Sequence, residues 1–257
     1  MLKLKHAEEI EFLRENNDIV SRTLAELGRM IRPGVTTLEL DKRAEEFIRD
    51  HGAEPGFLGY GGFPNSICTS VNDAVVHGIP SDYQLKEGDI VSIDCGTIKN
   101  GYYGDSAYTF AVGDVEDQVL ALLKATKESL FKGIEKAVAG NRVGDISHAV
   151  QYHAESAGFS VVREMVGHGL GSNMHESPEV PNYGKRGRGT QLKAGLVICI
   201  EPMINLGSRS IKQDRDGWTI RTMDGKPSAH YELALVIRNG KADILSTFDY
   251  IEHHPST

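Results

Sequence analysis

Lys86-Glu-Gly-Asp-Ile-Val-Ser-Ile-Asp94 and Lys193-Ala-Gly-Leu-Val-Ile-Cys-Ile-Glu201 read almost alike, and each runs from a glycine through an apolar stretch to a carboxylate. Such runs predict buried strands, each ending at its acid. A buried strand gains nothing from one charge, and two such ends facing each other repel. A metal centre between them is the simplest resolution. The likeness extends upstream. Gly34, Glu39, Leu40, Ala44 and Gly52 align with Gly140, Asp145, Ile146, Val150 and Gly158 at nearly the same offset. Both segments read as helices that start near an acid and stop at a glycine. Leu40, Ala44, Phe47 and Ile48 form the expected apolar face of the first, and Ile146, Ala149, Val150, His153 and Ala157 that of the second. An earlier helix precedes each, traced by Leu13, Val20, Leu24, Leu27 and Ile31 and by Val119, Leu122, Ser129, Leu130 and Ile134. The pattern predicts an α+β protein built from a duplicated unit, roughly residues 1–110 and 111–257. No linker rich in Pro, Gly or Ser parts the halves, so a single domain over 1–257 is expected.

Composition narrows the function classes. The chain has 257 residues, near the upper size for one hydrophobic core, and its 40% hydrophobic and 25% charged residues are ordinary for a soluble protein. A net charge of −8 and no long basic run argue against nucleic acid as a partner. The short stretch Lys185-Arg-Gly-Arg188 reads as a solvated loop. The N-terminus from Met1 to Ile10 carries charge throughout and is no signal peptide, and no run of 18 apolar residues exists to span a membrane. Cys68, Cys95 and Cys199 are odd in number and lack a Cys-x-x-Cys pair, which argues against a disulfide framework and against thiolate zinc. A cytoplasmic location fits.

The remaining ligands can be sought from the two acids. Asn100-Gly101 lies between two strand-like runs, a strong hairpin signal. With those two residues as the turn, Lys99 faces Tyr102 and Asp94 faces Ala107, so Asp105 lies diagonally from Asp94 on one face. The second half returns after a longer excursion as His230-Tyr-Glu232-Leu-Ala-Leu-Val-Ile237, with Glu232 opening the strand. His168, in Val166-Gly-His-Gly-Leu-Gly171, is the fifth candidate, because the flanking glycines allow close approach. Asp94, Asp105, His168, Glu201 and Glu232 give four carboxylates and one imidazole, enough to balance two divalent ions. Oxygen-dominated ligation favours manganese, iron or cobalt. Two metals about 3.5–4 Å apart can activate a water and polarise a carbonyl, which is hydrolase chemistry.

These residues resemble the type I methionine aminopeptidases of the pita-bread metallopeptidase superfamily. The resemblance covers nearly the whole chain and rests on Ile31-Arg-Pro-Gly-Val-Thr-Thr-Leu-Glu-Leu-Asp41, Gly59-Tyr-Gly-Gly-Phe-Pro64, Ser66-Ile-Cys-Thr-Ser-Val-Asn72, Val76-His-Gly-Ile-Pro80, Gly167-His-Gly-Leu-Gly171, Met174-His-Glu-Ser-Pro178 and Ile200-Glu-Pro-Met203. It implies a pita-bread fold, with two pseudo-symmetric αβ halves around a central antiparallel sheet and a dinuclear metal site. It implies that Asp94, Asp105 and Glu232 hold one divalent ion and that Asp105, His168, Glu201 and Glu232 hold the other; Co, Mn, Fe, Zn and Ni are the candidates. It gives His175 the scissile carbonyl oxygen, His77 the scissile nitrogen, and Glu201 the proton shuttle. Phe57, Tyr60, Phe63, Cys68, His77, Met174, His175 and Trp218 would form the substrate pocket. Relatives often carry Cys at position 57, His at 61 and Phe at 174, where this chain has Phe57, Gly61 and Met174. The implied activity is hydrolytic removal of the initiator methionine from nascent polypeptides when the second residue is small, by a monomer in transient contact with the ribosome. Xaa-Pro peptidases of the superfamily usually carry a large N-terminal domain that 257 residues cannot hold. Non-catalytic relatives lose metal ligands, whereas all five stand here.

Overall fold

The computed structural model describes residues 2–252. Helices α1 (Ala7–Gly28) and α2 (Thr37–Asp50) are followed by strands β1 (Glu54–Pro55), β2 (Ile67–Val71), β3 (Ala74–Val76), β4 (Ile90–Lys99) and β5 (Tyr102–Ala111). Helices α3 (Asp117–Ile134) and α4 (Val143–Ser156) open the second half. Its strands are β6 (Ser160–Val161), β7 (Gly167–Gly169), β8 (Glu176–Val180), β9 (Val197–Ile200), β10 (Met203–Asn205), β11 (Ile211–Gln213), β12 (Ile220–Thr222), β13 (Ser228–His230), β14 (Glu232–Val236) and β15 (Asp243–Ile244). A short helix, α5 (Asp249–Glu252), closes the described chain. None of the described helices is long and apolar enough to cross a membrane.

The central sheet has nine strands in the order β1-β4-β5-β14-β9-β7-β8, with β2 also on β4 and β15 on β14. Its pairings are antiparallel, and the halves meet where β5 pairs β14. The arrangement is the expected pita-bread architecture of two αβ halves, and the repeat reaches individual residues. Gly34 and Gly140 have φ of 92° and 98°, Gly52 and Gly158 68° and 88°, and Gly88 and Gly195 both 87°. Only glycine adopts these values without strain, which is why the repeat is punctuated by it. Glu39 caps α2 by accepting from Thr36 N at 2.7 Å, and Asp145 caps α4 by accepting from Arg142 N at 2.8 Å.

Alternation along the strands sends two residue sets to opposite faces. Val91, Ile93 and Cys95 join the core beneath α1 and α2, with Leu24, Leu27, Leu40 and Ile48. Ile198, Ile200, Leu233 and Leu235 join the core beneath α3 and α4, with Leu122, Leu130, Ile146 and Val150. Asp94, Glu201 and Glu232, one residue out of phase, project off the other side. The hairpin register agrees with the expectation, Lys99 facing Tyr102 and Asp94 facing Ala107.

Three expectations need correction. Asp94 does not end its strand: β4 runs five residues further, because the Asn100-Gly101 turn closes a hairpin of ten-residue arms. Ile31 lies beyond α1, which stops at Gly28. The buried face of α4 is Val143, Ile146, Ser147, Val150 and Ala154; Ala157 caps the helix and is exposed, and His153 is half-buried against Glu128 at 3.0 Å.

Helix α1 touches the hairpin where Gly104 leaves room for it. A Cβ built on Gly104 would stand 2.6 Å from the backbone carbon of Asn16. Backbone cannot swing aside as a side chain can, so Gly104→Ala should cost about 1–3 kcal/mol. Denaturant unfolding measures this, and an unchanged midpoint would refute the contact.

Candidate active site

The sheet brings together residues that are far apart in sequence. Asp94 on β4 and Asp105 on β5 come from one hairpin; Glu232 opens β14, whose register sets it opposite Ala107 of β5; Glu201 follows β9; and His168 is the middle residue of β7. His168 Nε2 stands 3.6 Å from Asp105 Oδ2 and 3.5 Å from Glu201 Oε1. Asp105, His168, Cys199 and Glu232 each offer a donor atom within 4.8 Å of one another. All five expected ligands line one cavity of about 290 Å³.

The donor chemistry fits a cation. His168 Nδ1 is 3.0 Å from the carbonyl oxygen of Gly169 and donates to it, so the Nε2 lone pair faces the carboxylates. Burial pushes the His168 pKa down to about 4, which leaves the ring neutral. Asp94 Oδ1, Asp105 Oδ1 and Glu232 Oε1 are buried without hydrogen-bond partners among the described residues. Burial raises the pKa of Asp94 to about 7, and burial together with Glu232 and Asp94 raises that of Asp105 well above the carboxylate range. Glu201 is raised by burial, Asp105 and Asp94, and Glu232 by burial, Glu201 and Asp94. Acceptors crowded without donors at hydrogen-bond distance are what bound divalent ions relieve.

Protons compete with the metal for carboxylates whose pKa values are raised, so loading displaces them. Adding Mn²⁺ to chelator-treated protein at pH 6 should release protons to an indicator dye. The apparent affinity should tighten as the pH rises through 7, where Asp94 ionises. Loading without proton release would contradict the direction of these shifts.

The residues expected around the substrate line the same cavity: Phe57, Tyr60, Phe63, Cys68, His77, Met174, His175 and Trp218. Cys68 sits opposite Asp94 in the β2–β4 pairing, which sets it beside the carboxylates. Phe63 meets Trp218 edge to face at 5.2 Å. Gly96 leaves space for Phe57 and Met174, since a Cβ there would lie 2.5 Å from Phe57 Cε1 and 3.0 Å from Met174 Cε. At Gly61 a Cβ would be 3.4 Å from the Trp218 ring, so a larger residue would press on the pocket wall.

Two imidazoles stand over the carboxylates. His77 follows β3 with a φ of 58°, an uncommon conformation for a non-glycine residue and one that clusters at functional sites. The next residue, Gly78, crosses β2 so closely that any Cβ there would collide with the Thr69 carbonyl. His175 Nδ1 is 2.8 Å from the Tyr60 hydroxyl. With the phenol as donor, the neutral ring keeps its proton on Nε2. Burial lowers the pKa of both imidazoles.

The sequence reading missed several lining residues. His230, Val76, Met203, Glu164, Met165 and Val166 also face the cavity. Cys199, whose pKa is raised by burial and then by Glu232, keeps a thiol proton to share with that carboxylate.

Residues 11–239 match the family described as Metallopeptidase family M24. The chain is 52% identical over 247 residues to the methionine aminopeptidase of Clostridium acetobutylicum, covering 96% of this chain and 99% of the relative. It is 50% identical to methionine aminopeptidase 1 of Bacillus subtilis, with the same coverage of each. The crystal structure of methionine aminopeptidase from Rickettsia prowazekii superposes with a TM-score of 0.95 at 39% identity, covering 96% of this chain and all of that one.

Proposed function

The chain belongs to metallopeptidase family M24, and from that premise we infer that it is a metal-dependent aminopeptidase that removes N-terminal methionine. The observation that carries the reading is the convergence of four carboxylates and one imidazole, with three orphaned oxygens, at an apolar cavity of about 290 Å³.

Two divalent ions are the proposed cofactor: Asp94, Asp105 and Glu232 would hold one, and Asp105, His168, Glu201 and Glu232 the other. When bound they lower the pKa of a water and polarise the scissile carbonyl. The rest is the work of side chains. Phe57, Phe63, Cys68, Met174 and Trp218 take the methionine side chain into an unbranched apolar slot. Asp94 marks the end of the cavity that would accept the free α-amine. His175 donates from Nε2 to the carbonyl oxygen as negative charge grows on it. His77 meets the scissile nitrogen. Glu201 takes a proton from the attacking water and passes it to the departing amine. A small second residue is the preferred neighbour, as the resemblance to methionine aminopeptidases implies. Nascent chains are the proposed source of substrate, with transient ribosome contact and a monomeric enzyme in the cytoplasm.

The test uses the purified chain loaded separately with Mn, Fe, Co, Zn or Ni. It should release methionine from Met-Ala-Ser, spare acetyl-Met-Ala-Ser, and leave Xaa-Pro dipeptides intact. Cleavage of the blocked peptide would remove the role given to the free amine, and preference for Xaa-Pro would replace the reading with a dipeptidase one.

A further inference from the structure

We propose that His230 is a positioning residue that holds the outer oxygen of Glu201, the one turned away from His168, in the orientation proton transfer requires. The inference rests on the function proposed above. Glu201 is straddled by two imidazoles. Its Oε1 lies 3.5 Å from His168 Nε2, and its Oε2 lies 3.9 Å from His230 Nε2. His168 stands with the ligand set, so Oε1 is the oxygen on the cation side. Oε2 is left to carry the proton, and His230 is the ring beside it.

His230 is 1% exposed, yet its Nε2 is buried with no hydrogen-bond partner among the described residues. A buried polar atom without a partner costs about 1–3 kcal/mol, so a ring kept there needs a use. The rest of the residue is pinned. Thr109 Oγ1 donates to His230 O at 2.7 Å and accepts from His230 N at 2.9 Å, and Ser92 Oγ, 2.8 Å away, donates in turn to Thr109 Oγ1. These bonds fix the backbone that carries the ring lining the cavity. A separation of 3.9 Å is too long for a hydrogen bond, and a small rotation of the Glu201 carboxylate or one bridging water closes it. His230 also neighbours His77, and it faces the Glu201 oxygen that His168 leaves free.

Three variants decide it: His230→Ala, His230→Gln, and His230→Ala combined with Glu201→Gln. Each is assayed on Met-Ala-Ser, with metal stoichiometry read by calorimetry. His230→Ala should lower kcat about ten- to a hundredfold, the scale of one hydrogen bond to a charged group, with KM within twofold. His230→Gln places an amide N–H near the position of Nε2 and should recover most of the rate. In the Glu201→Gln background, loss of His230 should change the residual rate less than twofold. Metal stoichiometry should stay at the wild-type value throughout the His230 variants. Loss of an ion would make His230 a ligand and overturn the positioning role. So would a kcat within twofold for His230→Ala, or full additivity with Glu201→Gln. A wild-type chain that releases no methionine sinks the functional reading itself, whereas an active wild type with an indifferent His230 sinks this inference alone.

Discussion

Glu201→Gln should lower kcat on Met-Ala-Ser by about 10²–10⁴, the usual range for removal of a general acid–base group. The exchange keeps the shape of the side chain and removes its ability to accept a proton. Burial, Asp105 and Asp94 all push the Glu201 pKa upward, so this carboxylate is an unusually willing proton acceptor. Its carbonyl oxygen also anchors Asn182 Nδ2 at 3.0 Å, a backbone contact the substitution leaves in place. The far-ultraviolet circular dichroism should therefore match the wild type. Because Glu201 is also a proposed ligand, metal content must be measured alongside. A variant that binds metal with normal stoichiometry and still turns over at a near-normal rate would remove Glu201 from the proton path.

The same residue shows what could be read from sequence and what could not. Its strand was visible because the segment ending at Glu201 repeats the one ending at Asp94, and the paired glycines at the two ends of the likeness all have positive φ. The hairpin register was fixed by Asn100-Gly101, both with positive φ, a chemistry that belongs to one turn class. The phase of α4 was misjudged because alanine and histidine are weak markers of a buried face, and Ala157 falls outside the helix. His230 and Cys199 were overlooked although a signal existed. Each stands two residues before a proposed ligand, and in an extended chain such residues share a face. Phe57, Tyr60 and Trp218 lie outside the strands, where no periodicity applies; only the family resemblance pointed to them.

Asp105→Asn should abolish metal loading and activity together, yet leave the metal-free protein more stable than the wild type. Asp105 is 3% exposed, and its Oδ1 has no hydrogen-bond partner among the described residues. Burial, then Glu232 and Asp94, hold its pKa far above its unfolded value. The folded chain without metal must therefore keep a proton there or bury a charge among charges. For such a group the stabilising contribution is intact below about pH 4, near the unfolded carboxylate pKa, and is lost as the pH rises through the folded pKa. Asparagine removes that penalty and keeps the volume. By linkage, each pH unit above the unfolded carboxylate pKa at which the folded site keeps its proton costs the wild type about 1.4 kcal/mol, and each kcal/mol moves the melting point of a chain this long by about 2–4 °C. The gain should be largest at pH 8 and shrink towards pH 5, as the pH nears the unfolded carboxylate pKa and ionisation favours the unfolded chain less. Addition of Mn²⁺ should raise the melting point of the wild type and leave that of Asp105→Asn unmoved, because a residue that would hold both ions is lost. A metal-free variant that melts below the wild type at pH 8 would mean that these carboxylates are held by the fold rather than strained within it, and the case for a cation between them would fall with that result.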